Sequence, residues 1–415
     1  MHGFSSAART PEVRPLADRP PEGRTLLSDT YELRILSRIR DVPRAAWDAL
    51  VGESGSPFVE WTWLDCLEES GCVGTDGDHS GAWGPCHLAL YRTDAGGERL
   101  VAAAPAYLKG NSEGEFVFDW AWADLSQRLR KPYYPKLVLA VPFTPATGER
   151  ILVAEGEDRA TLTSTMASLA WRFAQEVGAH SAHVLFPLKS EAKLLADEGY
   201  LLRYGVQYHF HNEGFATWED FLGSFNAKKR HQLKREVLQA DKDGIHIETV
   251  PPDRIDGDVV RAMYRFYGAT VDKFTWGRRY LNERFFELLA ERYTDRLAWV
   301  MATRDGRPIA GAFNIEKGKR LYGRYWGADE ELPFLHFNVC YYHGIKRAIA
   351  RGLDVFEPGA GGEHKRVRGF RPTLTYSAHK LEDPRLRTAV EAFVTREREA
   401  LTQYVATGGR GTEEP

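Results

Sequence analysis

The run Leu321-Tyr322-Gly323-Arg324-Tyr325 leads into Trp326-Gly327-Ala328-Asp329-Glu330-Glu331-Leu332-Pro333, and Leu353-Asp354-Val355-Phe356-Glu357-Pro358-Gly359 follows after an apolar stretch of helical spacing at 337–351. This reads as strand, loop, helix, strand. Such a unit makes a mixed sheet with helices on both faces. In open α/β sheets, ligands collect where strand ends meet helix N-termini. Upstream, strands at 297–303 and 308–316 flank an Asp305-Gly306 turn, preceded by helices at 227–243, 258–270 and 281–292 and a strand at 245–250. Downstream come a strand at 374–381 and a polar helix from about Arg385.

Residues 31–210 read in the same order. A strand at 31–39 leads to helices at 45–51 and 59–69 and to a hairpin of 87–92 with 100–108, joined by a glycine-bearing turn at Asp94–Gly97. A strand at 137–141, helix at 158–177, strand at 183–186, helix at 190–198 and strand at 201–210 follow. The element order occurs twice without a residue-level repeat. It predicts two similar α/β (α+β) domains at 31–205 and 206–383, between a disordered tail at 1–30 and a C-terminal helix and tail at 384–415.

Composition agrees with two buried cores. Hydrophobic residues make up 43% of the 415 and aromatics 12%, which excludes global disorder. The net charge of −3, from 55 basic and 58 acidic residues, gives no overall pull toward polyanions, so any such partner must be read by a local patch. Cys66, Cys72, Cys86 and Cys340 form no disulfide framework and match no zinc-ligand pair, so no metal is expected. No apolar run reaches the ~18 residues of a membrane span, and no export segment precedes residue 31, so a cytoplasmic location is expected.

The second half resembles the Fem-type aminoacyltransferases, which are built from two acyltransferase-fold domains. The resemblance lies in Ser224-Phe225-Asn226-Ala227-Lys228-Lys229-Arg230-His231-Gln232-Leu233-Lys234-Arg235, a basic helix closed by Gly244, in the Tyr-x-x-x-Ile-Lys-x-Ala type of helix from Tyr341, and in His364-Lys365-Arg366-Val367-Arg368-Gly369-Phe370. Further strings are similar to a bacterial Fem-like group of N-acyltransferases: Glu115-Phe116-Val117-Phe118-Asp119-Trp120-Ala121-Trp122-Ala123-Asp124, Tyr133-Tyr134-Pro135-Lys136-Leu137 and Gly362-Glu363-His364-Lys365. The resemblance implies two tandem GNAT-like domains and amide formation with aminoacyl-tRNA as co-substrate, with no cofactor. The Fem pattern carries a lysine three residues before the Phe of Gly-Phe. Here that place is Val367, with Lys365, Arg366 and Arg368 around it, so the lysine is not carried over to one position.

Amide formation needs a proton acceptor for the amine, donors for the oxyanion and near-attack positioning. Glu357, the Gly359-Ala360-Gly361-Gly362 turn and Glu363, His364, Lys365, Arg366 and Arg368 form the densest candidate, glycines admitting a ligand close to the backbone. Glu115, Asp119 and Asp124, among Phe116, Phe118, Trp120 and Trp122, read as a strand with one polar face. The aromatic surroundings are expected to raise these carboxyl pKa values and make Asp119 a base. Tyr325 and Trp326 are expected as a pocket wall, and Cys340 as core. Lys228, Lys229, Arg230, Lys234 and Arg235 suit phosphates of tRNA or coenzyme A.

Coenzyme A cradles use glycine-rich loops at helix N-termini. The loop at 326–333 has three consecutive acids that would repel a pyrophosphate, and the loop at 142–148 has two prolines. The first expectation is therefore an aminoacyl-tRNA-dependent transferase. Asp119 or the Glu363–His364 pair would accept the amine proton, acids and cations of the two domains meeting at one cleft. The acceptor is a small molecule or a peptide-bearing cell-wall precursor. The alternatives are an acyl-coenzyme A-dependent N-acyltransferase and a non-catalytic binding protein on the same fold.

Overall fold

A computed structural model describes residues 24–28, 31–74, 83–273 and 278–409, with the side chains of 24–28 and of Glu363 outside that description. The strands in chain order are β1 (Arg24–Ser28), β2 (Tyr31–Leu36), β3 (Trp83–Pro85), β4 (His87–Asp94), β5 (Gly97–Ala104), β6 (Ala106–Lys109), β7 (Lys136–Leu139) and β8 (Leu152–Val153). They continue as β9 (Ser181–Leu185), β10 (Leu201–His211), β11 (Ile245–Thr249), β12 (Val300–Arg304), β13 (Arg307–Lys317), β14 (Arg320–Ala328), β15 (Val355–Glu357) and β16 (Arg371–Leu381). β1 falls within the stretch expected to be a disordered tail and pairs antiparallel with β2.

Two sheets result. Five strands run β1-β2-β4-β5-β8, and eleven run β11-β12-β13-β14-β15-β10-β16-β9-β7-β6-β3. The chain passes from one sheet to the other at Pro105, between β5 and β6, where proline removes a ladder donor. The large sheet joins the halves through a crossed order. β16, the last strand, lies antiparallel between β9 and β10, and β10 reaches past it to β15 through Phe210↔Phe356. The boundary expected at 205/206 thus falls inside β10.

The halves also share a core. Phe58 and Trp63 of the first half meet Tyr322 and Phe285 of the second edge-on, with ring centroids 5.1 and 5.3 Å apart. Edge-to-face aromatic pairs of this kind add to area burial.

The segment 115–119 corrects the expected strand. Gly114 and Phe116 have positive φ, +74° and +58°, so the backbone turns where alternation called for extension, and a helix follows at Trp120–Arg128. An aromatic residue in the left-handed region is costly and persists only where packing enforces it. Among the described residues, no helix is long and apolar enough to cross a membrane.

Candidate active site

β14 runs parallel to β15 only from Arg320↔Val355 to Tyr322↔Glu357. Beyond Tyr322 it continues to Ala328 along β13, while the chain of β15 leaves at Pro358, which cannot extend the ladder. The strands therefore splay, and a pocket of about 270 Å³ occupies the gap. A bulge in the β13–β14 pairing at Phe313/Asn314 bends the wall there, as bulges beside functional sites do. Gly323 permits the approach at the base of the splay, because a Cβ there would stand 3.1 Å from Pro358 Cα.

The opposite wall is one helix in three contiguous segments, Leu335–Phe337, the π turn Asn338–Tyr342, and His343–Ala350. π turns are rare and frequent at functional sites. This one turns Cys340 and Tyr341 into the pocket. His336, one turn earlier, stacks on Trp326 with centroids 4.2 Å apart.

The loop after Gly362 is a 3-10 turn, Glu363–Arg368, which completes the pocket with His364 and Lys365. Lys365 is 3% exposed, and its Nζ donates to the carbonyl of Gly359 at 2.7 Å and to that of Ala360 at 3.4 Å. Burial brings its pKa down to about 8. Tyr341 OH and His364 Nε2 are 2.9 Å apart. Burial, with Lys365 and Arg368 beside it, lowers the pKa of His364, and burial brings His336 to about 3. Both imidazoles are therefore neutral near pH 7, and a neutral imidazole can accept a proton. Burial pushes the Cys340 thiol well above its ordinary pKa; it packs against two core clusters, as expected, and also lines the pocket as a thiol. Among the described side chains no Asp or Glu lines the pocket, whereas Arg324, Lys365 and two histidines do.

Tyr325, Trp326, Gly361, His364 and Lys365 are thus brought together, joined by Arg324, His336 and Tyr341. In the sequence Tyr341 opens a family-like helix motif and Arg324 sits inside the strand 321–325, and neither stands out as a site residue. The side chain of Glu363 lies outside the described residues. Four expectations are corrected. Arg368 is buried against Glu236, with Nε and Nη2 3.1 and 3.3 Å from its two carboxylate oxygens, and so is not free to meet a substrate. Arg366 points away, donating to the carbonyl of Gly409 at 2.9 Å. Glu357 braces the base of the splay through Arg320 at 3.0 Å and the backbone N–H of Thr147 at 3.3 Å.

The fourth concerns Glu115 and Asp119. Both are buried around Lys136, whose Nζ lies 2.9 Å from Glu115 Oε2 and 2.6 Å from Asp119 Oδ2. Tyr133 OH donates to the same Asp119 oxygen at 2.6 Å. Burial raises the pKa of Glu115, but burial of Asp119 is outweighed by the Lys136 charge, which holds it well below the usual range. A carboxylate so stabilised is a poor base. Trp120 and Asp124 are exposed on the helix that follows. Among the described residues, none of the first half lines the pocket at the splay, and Asp119 and Lys365 do not share this cleft as expected. The first half touches its wall through the Phe143 carbonyl, which accepts from Arg324 Nη2 at 2.6 Å and Tyr325 OH at 3.1 Å.

The helix Ala227–Lys242 opens on Asn226, whose side chain accepts the backbone N–H of Lys229. Its buried face is Leu233, Glu236 and Ala240. Lys228, Lys234 and Arg235 are exposed, whereas Lys229 donates to Gln232 and Arg230 to the carbonyls of Leu222 and Phe225.

A model of the FemAB-like sequences, described as peptidoglycan biosynthesis/recognition, matches residues 38–411. The chain belongs to the FemAB-like family. It is an acyltransferase, with the tandem acyltransferase fold. Among solved structures, FemX superposes with a TM-score of 0.51 at 13% identity, covering 84% of this chain and 98% of FemX, a likeness of fold alone. Weaker superpositions, which carry no argument, include the L-PGS of Bacillus licheniformis (0.47, 13% identity, 84% and 98% coverage). Another is the C-terminal domain of a lysylphosphatidylglycerol synthetase from Agrobacterium fabrum (0.48, 12% identity, 89% and 98%). No curated protein matches the chain.

Proposed function

We propose that this FemAB-like protein transfers an aminoacyl group from aminoacyl-tRNA to the amine of a small-molecule or peptide-bearing cell-wall precursor, in the cytoplasm and without a cofactor. The observation that carries the reading is the pocket at the splay of β14 and β15, which brings Arg324, Lys365 and two neutral imidazoles together and, among the described side chains, holds no carboxylate. The ester carbonyl carbon is attacked by the amine nitrogen. The oxyanion takes the remaining N–H of Lys365, whose other donors hold Gly359 and Ala360. The amine proton passes to the Tyr341 oxygen as Tyr341 gives its own to His364 Nε2. Collapse breaks the ester C–O bond, and the ribose oxygen recovers the proton from the same pair. Lys228, Lys234 and Arg235, exposed on the basic helix, suit the phosphates of the RNA.

One observation favours acyl-coenzyme A as donor instead. The three acids at 329–331 are each matched by a cation: Asp329 by Arg265 at 3.1 Å, Glu331 by Lys273 at 2.8 Å, and Glu330 by Arg304. The repulsion expected of that loop is therefore largely cancelled. The deciding experiment offers an amine acceptor with either charged tRNA or acyl-coenzyme A. Amide formed from charged tRNA and abolished by prior ribonuclease supports the tRNA reading. Amide formed from acyl-coenzyme A and untouched by ribonuclease overturns it.

A further inference from the structure

Glu236 is an acid on a helix of cations, 1% exposed and turned inward beside Leu233 and Ala240. Buried carboxylates are costly unless paired and fully hydrogen-bonded. Glu236 is both: Gln232 Nε2, one turn back on its own helix, donates to Oε1 at 2.7 Å, and the other partners come from two other elements. Arg368, at the end of the 3-10 turn, meets both its carboxylate oxygens, and the same guanidinium donates from Nη1 to the carbonyl of His364 at 2.9 Å. Tyr342 OH, from the π turn, donates to Glu236 Oε2. Asn338 Nδ2, at the other end of that turn, donates to the Glu236 backbone carbonyl at 2.8 Å. Arg368 also lies over the Phe337 ring, 3.4 Å from its centroid.

Both parts of the His364–Tyr341 pair are therefore tied to one residue. The loop bearing His364 and Lys365 is held through Arg368, and the turn bearing Tyr341 is held through Tyr342 and Asn338. We propose that Glu236 is a positioning residue, which sets the reacting loop and the π turn in register with each other and with the basic helix. The proposal rests on the pocket at the splay being the active site. It assigns the buried face of the basic helix to alignment, as the exposed face is assigned to the RNA. A displacement of about 1 Å between His364 and Tyr341 breaks a 2.9 Å hydrogen bond, and misplacements of that size cost roughly 100-fold in rate.

The test compares Glu236→Gln, Arg368→Gln and Tyr342→Phe in the full chain. Two readouts are used: steady-state transfer, and titration of the His364 ring by NMR. The groups facing His364 are Tyr341, His336 and Phe337 on the helix and Lys365 and Arg368 on its own loop. Arg368→Gln removes a facing cation, so His364 titrates at higher pH. Glu236→Gln leaves Arg368 without its counter-charge, so His364 titrates at lower pH. In both, kcat falls about 10- to 100-fold with KM within about threefold. Tyr342→Phe, which keeps the ion pair, lowers kcat several-fold and serves if either charge variant fails to fold. Rates that fall only with the folded fraction, with His364 titrating as in the parent, overturn the proposal. If the parent makes no amide from charged tRNA, the donor reading fails, and the His364 titration alone decides the alignment.

Discussion

Lys136→Met separates a structural from a catalytic role for the first-half acids. Lys136 is fully buried and is the counter-charge of Asp119 and Glu115, with a third bond to Ser112 Oγ at 2.9 Å. Asp119 Oδ1 and Glu115 Oε1 have no hydrogen-bond partner, so apart from the Tyr133 hydroxyl on Asp119 Oδ2 no other hydrogen bond to these oxygens compensates their charge. Breaking a buried pair by removing one partner costs about 3–5 kcal/mol. Lys109 Nζ, 3.7 Å from Glu115 Oε1, still faces one of the two acids, which places the expected loss near the lower end, about 3 kcal/mol.

The sign with pH follows from linkage. In the parent the Asp119 pKa is depressed, so its contribution is present above the unfolded value of about 4 and is lost only as pH falls through the lower, folded value. In the variant, burial raises the folded pKa of both acids above about 4, so the variant gains relative stability as pH falls through those raised values. Urea unfolding of parent and variant at about pH 8 and about pH 5 should give a difference of about 3 kcal/mol that shrinks on acidification. A difference under about 1 kcal/mol at the higher pH, or one that grows on acidification, would show that Lys136 is not the counter-charge on which the two buried acids depend.

Other consequences concern the pocket and the helix. Lys365 is a cation below its pKa of about 8 and loses the charge above it, so transfer should fall on the alkaline side around that pH. Lys365→Arg should carry that limb to higher pH if it keeps activity, as read from a pH–rate profile. Tyr341→Phe, which removes the proton relay to His364, should lower kcat about 10²- to 10⁴-fold with KM little changed, in single-turnover assays. Replacing Lys228, Lys234 and Arg235 by Ala, all exposed and outside any ion pair among the described residues, should raise KM for charged tRNA. It should also flatten the log–log salt dependence by roughly 0.7–0.9 for each phosphate no longer neutralised, with stability nearly unchanged.

The sequence carried the local part of the fold. The hairpin turn at Ala95-Gly96, the helix opening at Asn226 and the run from β14 to β15 all follow from patterns within a few residues. The glycine turn and Lys365 were also legible, since four small residues before a cluster of charges is a local signal. What stayed hidden depended on partners distant in sequence. Asp119 meets Lys136 17 residues on, and Arg368 meets Glu236 132 residues away. Without those partners, Asp119 reads as a base and Arg368 as a substrate contact. The place of β16 between β9 and β10 leaves no periodic trace either, because any apolar strand satisfies either half. The alternation at 115–120 imitated a strand, and only the positive φ of Gly114 and Phe116 reveals the turn.

The most direct measurement is the transfer rate per folded molecule of Lys365→Met against that of Asp119→Asn, each checked for folding by near-UV circular dichroism. If the pocket at the splay carries the chemistry, Lys365→Met loses about 100-fold or more, as removal of an oxyanion donor does, while Asp119→Asn keeps the parent rate. An active Lys365→Met, or a folded but inactive Asp119→Asn, would contradict it.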